Sequence, residues 1–480
     1  MSSNTIPRPA EFRASGSTII LVALGTALLV AGVAIVKAPV AAWVVLALAA
    51  GAASLELRAS SWAFAALAAA GLSRVLVYCG ASAFLNFVHF PLVLGAVAAA
   101  FMQAKPSRLA RSLTVSLTAL LAFSFLSWAL NGGELLRPVL AWLVFAEPFL
   151  LVLALTKAPP EPRAATRLWI LVFGIAFLQL PLGILEWIVI SHGDPDRVQG
   201  TFLNQGAGAH VAGAVALVGV LAAITRAVSA RSRLGRQGFI ALAMAMFLLP
   251  ILSDAKQVII CFIPAALIAL VSSGSLRLTR LVVPLLMICL GLIAAFRFYK
   301  PLQQIGDQGK IEEGLRTKLD SARLIADGVL RTPGGWLAGV GPGNSVSRIA
   351  LLTSGAEVME TSPVARLGLK TAPLTREILE ANAANYLSNN SSVWTGVSSW
   401  VGLAGDLGLL GLTLYLILNA KLWFALGRSS SWAAPAAKGA MVMAALLGFV
   451  FSWLEEPGFT LMAGLLIGLA LGERSRPRPS

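Results

Sequence analysis

The chain alternates long apolar runs with short polar connections. The apolar runs fall near 17–36, 38–54, 61–79, 84–102, 110–130, 138–156, 168–190, 207–225, 237–252, 257–272, 281–297, 397–420, 434–453 and 457–472. Each is about 16 to 24 residues long, enough to cross a bilayer as a helix. The pattern predicts an all-α, polytopic membrane protein with about 12–14 transmembrane helices. Two runs are interrupted by polar residues: Arg74 and Tyr78 in the third, Asn86, His89 and Pro91 in the fourth. The predicted division is a tail at 1–16, helices 1–11 across 17–297, one large connection at 298–395, helices 12–14 across 396–472, and a basic tail at 473–480.

Composition agrees with this pattern. Of 480 residues, 57% are apolar and 12% charged, about half the charge that a soluble chain carries. Mean hydropathy is +0.81. A net charge of +15 would suggest a nucleic-acid partner in a soluble protein. Here the positive residues concentrate in alternate short connections, which is an orientation signal, so no nucleic-acid partner is expected. Lys105, Arg108 and Arg111 form one cluster, Lys157, Arg163 and Arg167 the next, and Arg226, Arg231, Arg233 and Arg236 a third. The pattern continues through Arg277 and Arg280, Lys421, Arg428 and Lys438, and Arg474, Arg476 and Arg478. Both termini are therefore expected in the cytoplasm. The first run is long enough to span and lacks a small-residue cleavage site, so no signal peptide is expected. Cys79, Cys261 and Cys289 are odd in number and lie in apolar runs, which predicts free thiols.

This orientation places the 298–395 connection outside the cytoplasm. Residues 312–330 in it read as an amphipathic helix, and turn residues gather at Pro333-Gly-Gly335 and Gly339-Val-Gly-Pro-Gly-Asn344. A connection this long is usually functional; the alternative is a cap that packs the outer helix ends. No internal repeat of the transporter kind is visible.

Four polar clusters face the same side. Arg197, in Arg197-Val-Gln-Gly-Thr-Phe-Leu-Asn204, can hold a phosphate or carboxylate bidentately, or it neutralises Asp194 and Asp196. A helix beginning near Gly206 turns free N–H groups toward the same place. Lys256, at the start of the next outward hairpin, is poorly placed for its own helix dipole. It either gains from a bound anion or pairs with Asp254. The glycine turn lacks the Gly-Lys-Ser/Thr ending of a nucleotide loop, so its reading is a tight turn that lets backbone approach a ligand. Glu455 and Glu456 end the last outward hairpin as base, counter-ions or simple outer-loop charge. No metal-ligand spacing is present, and neither metal nor cofactor is expected. Glu147, Gln179 and Glu186 lie inside spans, and the sequence indicates no buried charge partner for either glutamate.

Taken in order, these stretches resemble the O-antigen ligase and Wzy-type polysaccharide polymerase family. Arg197-Val-Gln-Gly-Thr-Phe-Leu-Asn204 is similar to the R-x-x-G-x-F-x-N motif that precedes a helix on the periplasmic side. Lys256 stands where the family has an arginine. Gly339, Gly341 and Gly343 fit a G-x-G-x-G turn. Val397-Ser-Ser-Trp-Val401 and Asp406-Leu-Gly-Leu-Leu-Gly411 resemble H-N-S-Y-L and E-x-G-L-L-G. The resemblance covers about 165–470. It departs at Val397, which replaces the histidine that ligases are thought to use on the acceptor hydroxyl, and at Gln205-Gly206, which replace Pro-Asn. A valine cannot take a proton, so the ligase mechanism does not carry over intact.

The resemblance implies a bacterial inner-membrane glycosyltransferase that joins repeat units at the periplasmic face. Its substrate would be an undecaprenyl-diphosphate-linked oligosaccharide, its surroundings membrane lipids, and a chain-length regulator of the same pathway a possible partner. No nucleotide is required, because the diphosphate linkage carries the free energy. Arg197, Lys256 and the helix start at Gly206 are the expected diphosphate site. Arg323, Arg348, Arg366 and Arg376 are further candidates for gripping diphosphate or glycan, and Tyr386, Trp394 and Trp400 for stacking on sugars. The base is left open among Glu357, Glu360, Glu377, Glu380 and His192. A ligase acting on a finished glycan, and a flippase for the same lipid-linked glycan, are the alternatives.

Overall fold

The computed structural model describes residues 57–189, 197–203, 207–273, 308–358, 369–389 and 398–474. Among the described residues there are helices and turns but no strand. Eight of the described helices are long and apolar enough to cross a membrane: α1 (Ala59–Tyr78), α2 (Ala83–Gln103 with its leading 3-10 turn, Ala83–Phe87), α3 (Arg108–Asn131), α4 (Leu136–Lys157), α5 (Pro162–Val189), α6 (Gly208–Ser229), α7 (Arg233–Leu252) and, after the long connection, Ser399–Gly427. Shorter apolar helices are α8 (Lys256–Ser272), Ala434–Val450 and Pro457–Arg474. The long connection contributes α9 (Gln308–Arg331), α10 (Arg348–Val358) and α11 (Pro373–Asn389). The last three apolar helices are thus α12, α13 and α14. The protein is an all-α polytopic membrane protein. The spans expected at 17–36, 38–54 and 281–297 lie outside the described residues.

The boundaries follow local chemistry. The Ser107 hydroxyl accepts from Ala110 N at 3.1 Å and opens α3; Ser232 does the same for α7 with Gly235 N at 3.1 Å. Such caps satisfy one of the orphan N–H groups of a helix start. α5 begins several residues before its apolar run, carrying Arg163 and Arg167 on its first turns, because a helix continues past the lipid as long as water can solvate its side chains.

α6 and α14 form the centre. Almost every residue of α6 is buried, as expected for a helix that is apolar all round. Small residues bring helices close: a Cβ added at Gly464 of α14 would stand 2.8 Å from the Pro148 carbonyl of α4. Exposed Val115, Ile170, Ile188 and Phe424 face outward from the bundle, where lipid is the solvent.

The α9–α11 segment docks on one end of the bundle. Ile325, Val346 and Ile378 give it a small core of its own. Lys318 Nζ donates to the Val450 carbonyl at 2.6 Å, tying α9 to the end of α13. Burial pushes the Lys318 ammonium down to about 8. At the opposite end, Lys157 Nζ donates to the Ala104 carbonyl at 2.7 Å, Lys421 Nζ to Ser116 Oγ at 2.6 Å, and Arg226 lies over the Trp432 ring.

The glycine turn is the main clamp. α12 breaks at Gly408, whose φ is 63°. Val340 N donates to the Gly405 carbonyl at 2.8 Å and Gly341 N to the Asp406 carbonyl at 3.2 Å. A Cβ on Gly408 would lie 2.4 Å from the Leu337 carbonyl, so both the dihedral and the space demand glycine. Asp406 is fully buried. Its Oδ2 accepts from Gly343 N at 2.7 Å, and its Oδ1 from Ser345 N at 2.9 Å and Ser345 Oγ at 2.6 Å. From the other side the buried Arg137 donates to the Gly343 carbonyl at 2.9 Å and to Asn344 Oδ1 at 2.7 Å. The sequence suggested that this turn brings backbone close to a ligand. The backbone does make a close approach, but to the broken helix α12, and its N–H groups hold the chain's own carboxylate.

Candidate functional site

Beside this clamp, a cavity of about 320 Å³ opens between α1, α2, α4, α10 and the hairpin before α14. Leu136, Val139, Leu140, Leu143 and Val144 of α4 line it at helical spacing, so one apolar face of α4 forms a wall along about two turns. Phe84, Phe87 and Phe90 cover another side. The polar residues of the lining fall into two groups.

The first group is charged. Arg74 comes from α1, Arg348 from the first turn of α10, and Glu455 and Glu456 from the 451–456 hairpin. Arg348 forms an ion pair with Glu456 through Nη1, and Arg74 lies within electrostatic reach of both. Arg348 N donates to Glu455 Oε2 at 2.5 Å. Glu455 is only 2% exposed, and its Oε1 is buried with no hydrogen-bond partner among the described residues. The Ser399 hydroxyl is near enough to favour the ionised form, but it donates no hydrogen bond of acceptable geometry to that oxygen. Burial pushes the Glu455 carboxyl up to about 8, against the pull of the Arg348 N–H.

The second group is set within the helices. Ser73 Oγ donates to Asn86 Oδ1 at 3.2 Å. His89, one turn further along, places Nδ1 2.5 Å from Glu147 Oε1, and both side chains are buried. The sequence showed no relay from Glu147 or Glu186 to a second buried charge; helix packing brings His89 against Glu147 as a hydrogen-bond partner. Glu186 is held by backbone, its Oε2 accepting from Gln199 N and Gly200 N at 2.7 Å each.

The expected site residues are distributed as follows. Arg348 is at the cavity. Arg197 is exposed at the start of a turn whose Val198 and Phe202 are buried, and of the described residues 197–203 Phe202 reaches the cavity. Lys256 Nζ is 2.8 Å from Asp254 Oδ2, across a turn in which Asp254 has φ of 50°. Neither Arg197 nor Lys256 lines this cavity. Arg323 pairs with Asp320 at 3.1 Å on the exposed side of α9. Arg376, Glu377 and Glu380 are exposed on α11. The half-buried Trp400 indole donates to the Ala445 carbonyl at 2.7 Å and packs between the buried Tyr415 and the exposed Phe449. Glu357 and Tyr386 lie on α10 and α11, where the backbone alone is described. His192, Gly206, Glu360, Arg366 and Trp394 lie outside the described residues.

Arg74, Asn86 and His89 were not among the expected site residues. The signal was present: each interrupts an apolar run, and a polar group inside a span is a functional candidate by its cost alone.

Fold and cavity together define a polytopic membrane protein with an amphipathic cavity at one end of its bundle. No protein-family profile and no curated protein matches the chain.

Proposed function

We propose that this protein is an inner-membrane glycosyltransferase-type polymerase. It joins oligosaccharide repeat units carried on a polyprenyl diphosphate, on the side of the membrane where the α9–α11 segment lies. The observation that carries this reading is the cavity's division into an apolar wall along α4 and a charged end with two arginines. A lipid-linked diphosphate has the same division. Its leaving group gains negative charge as the glycosidic bond breaks, so fixed cations stabilise the transition state more than the ground state. Arg74 and Arg348 take that role. Glu456 holds Arg348 in place until an anion arrives. Glu455, protonated at neutral pH, meets a phosphate oxygen as a hydrogen-bond donor without adding charge repulsion. The motif resemblance supports the same reaction class.

A second reading, a flippase for the same lipid-linked glycan, is favoured by the ionisable pair buried between α2 and α4. One experiment separates the two. Purified protein in proteoliposomes receives polyprenyl-diphosphate repeat units and no nucleotide. A ladder of longer glycans together with free polyprenyl diphosphate is the expected result. Movement of the donor between leaflets with no bond formed would replace the polymerase with the flippase.

A further inference from the structure

The charged end of the cavity can hold a leaving group, but it offers no obvious proton acceptor. Arg74 and Arg348 are cations, Glu456 is paired with Arg348, and Glu455, pushed up to about 8, is mostly protonated at pH 7 and already accepts from Arg348 N on one oxygen. Val397 also cannot supply a base. The second polar group has what is missing. His89 forms part of the cavity wall, its ring lies against Phe90 with centroids 4.3 Å apart, and its Nδ1 is fixed by Glu147. No hydrogen bond to its Nε2 occurs among the described residues. A carboxylate on one imidazole nitrogen sets the tautomer, keeps the proton on Nδ1, and leaves a lone pair on Nε2. That is the arrangement of an oriented general base.

We propose that His89 is the base of the transfer reaction and Glu147 its positioning residue, an inference that rests on the polymerase reading above. The acceptor hydroxyl oxygen forms a bond to the anomeric carbon of the donor. The bond from that carbon to the diphosphate oxygen breaks, and its electron pair leaves with the diphosphate held by Arg74 and Arg348. The hydroxyl proton goes to His89 Nε2. Glu147 stabilises the imidazolium, which returns the proton to water through the cavity mouth when product leaves. The side chains come from helices α2 and α4, so the base sits on the rigid bundle rather than on the docked segment.

The test uses the full-length protein in proteoliposomes with the polyprenyl-diphosphate donor. His89→Ala is expected to lower kcat by about 100-fold or more and to leave KM for the donor within about twofold. Added imidazole, small enough for the vacated space, restores part of the rate. His89→Gln keeps a hydrogen bond to Glu147 and guards against a folding defect; it shows the same loss of kcat, without rescue. Glu147→Gln lowers kcat by about tenfold and does not respond to imidazole. Normal kcat in His89→Ala or His89→Gln overturns the proposal, as does a loss in His89→Ala that imidazole does not relieve. If wild-type protein forms no glycosidic bond at all, the polymerase reading itself fails, a result distinct from an active enzyme that ignores His89.

Discussion

Asp406 and Glu455 are both buried carboxylates at the same end of the bundle, and their surroundings are opposite. Asp406 has a donor on each oxygen: two backbone N–H groups and a serine hydroxyl, presented by a glycine turn that fits no other residue type well. Glu455 has one N–H on one oxygen, while the other oxygen is unpartnered among the described residues and the group lines a cavity. A buried polar group left unsatisfied costs free energy, and here the open oxygen belongs to a group on a cavity wall, where a ligand can supply the partner. The satisfied carboxylate marks a clamp and the unsatisfied one marks a site. The sequence alone suggested the glycine turn as the place where a ligand meets backbone, and left Glu455 open as base, counter-ion or outer-loop charge.

Substitutions can break this contrast. The largest effect is expected at Arg348→Ala, with kcat lower by about 1,000-fold, since it removes a cation from the leaving group. The proteoliposome polymerisation assay measures it, and thermal unfolding in detergent checks that the fold survives. Asp406→Ala comes next and acts on the fold. It leaves three donors buried without an acceptor, a loss of about 3 kcal/mol or more. Limited proteolysis should then release the α9–α11 segment at a lower temperature than in wild type.

Glu455 gives a pH signature in place of a stability loss. Its carboxyl is protonated below about 8 and ionises as pH rises through that value. Ionisation sets a negative charge beside the bound diphosphate. KM for the donor should therefore rise about tenfold from pH 7 to pH 9, and Glu455→Gln should flatten this dependence while retaining activity at pH 7. The smallest effect is expected at Arg197→Ala, within about threefold in kcat/KM, because the side chain is exposed and away from the cavity. A loss at Arg197 as large as that at Arg348 would move the diphosphate grip to the turn where the motif resemblance places it.

Much of the architecture was readable in one dimension. Every apolar run between 61 and 272 and between 397 and 472 corresponds to an observed helix, and the amphipathic stretch at 312–330 lies within α9. A helix in lipid must satisfy its own backbone and cover itself with apolar side chains, so its presence is written locally. Arg348 was legible as a candidate because it is a guanidinium in the long connection. Its partners were not: Glu455 lies 107 residues from it in sequence, and His89 lies 58 residues from Glu147. The polar interruptions in the third and fourth runs were visible as residues but not as neighbours.

The sequence by itself determined that this chain is an all-α membrane protein, and where most of its described helices begin and end. Burial of apolar surface and backbone hydrogen bonding act over a turn or two, and the sequence records them in place. Only the tertiary structure decided which carboxylate is satisfied and which stands open, and which arginines share a cavity. Those outcomes depend on how helices pack against one another, and packing joins residues whose separation along the chain carries no trace of their contact.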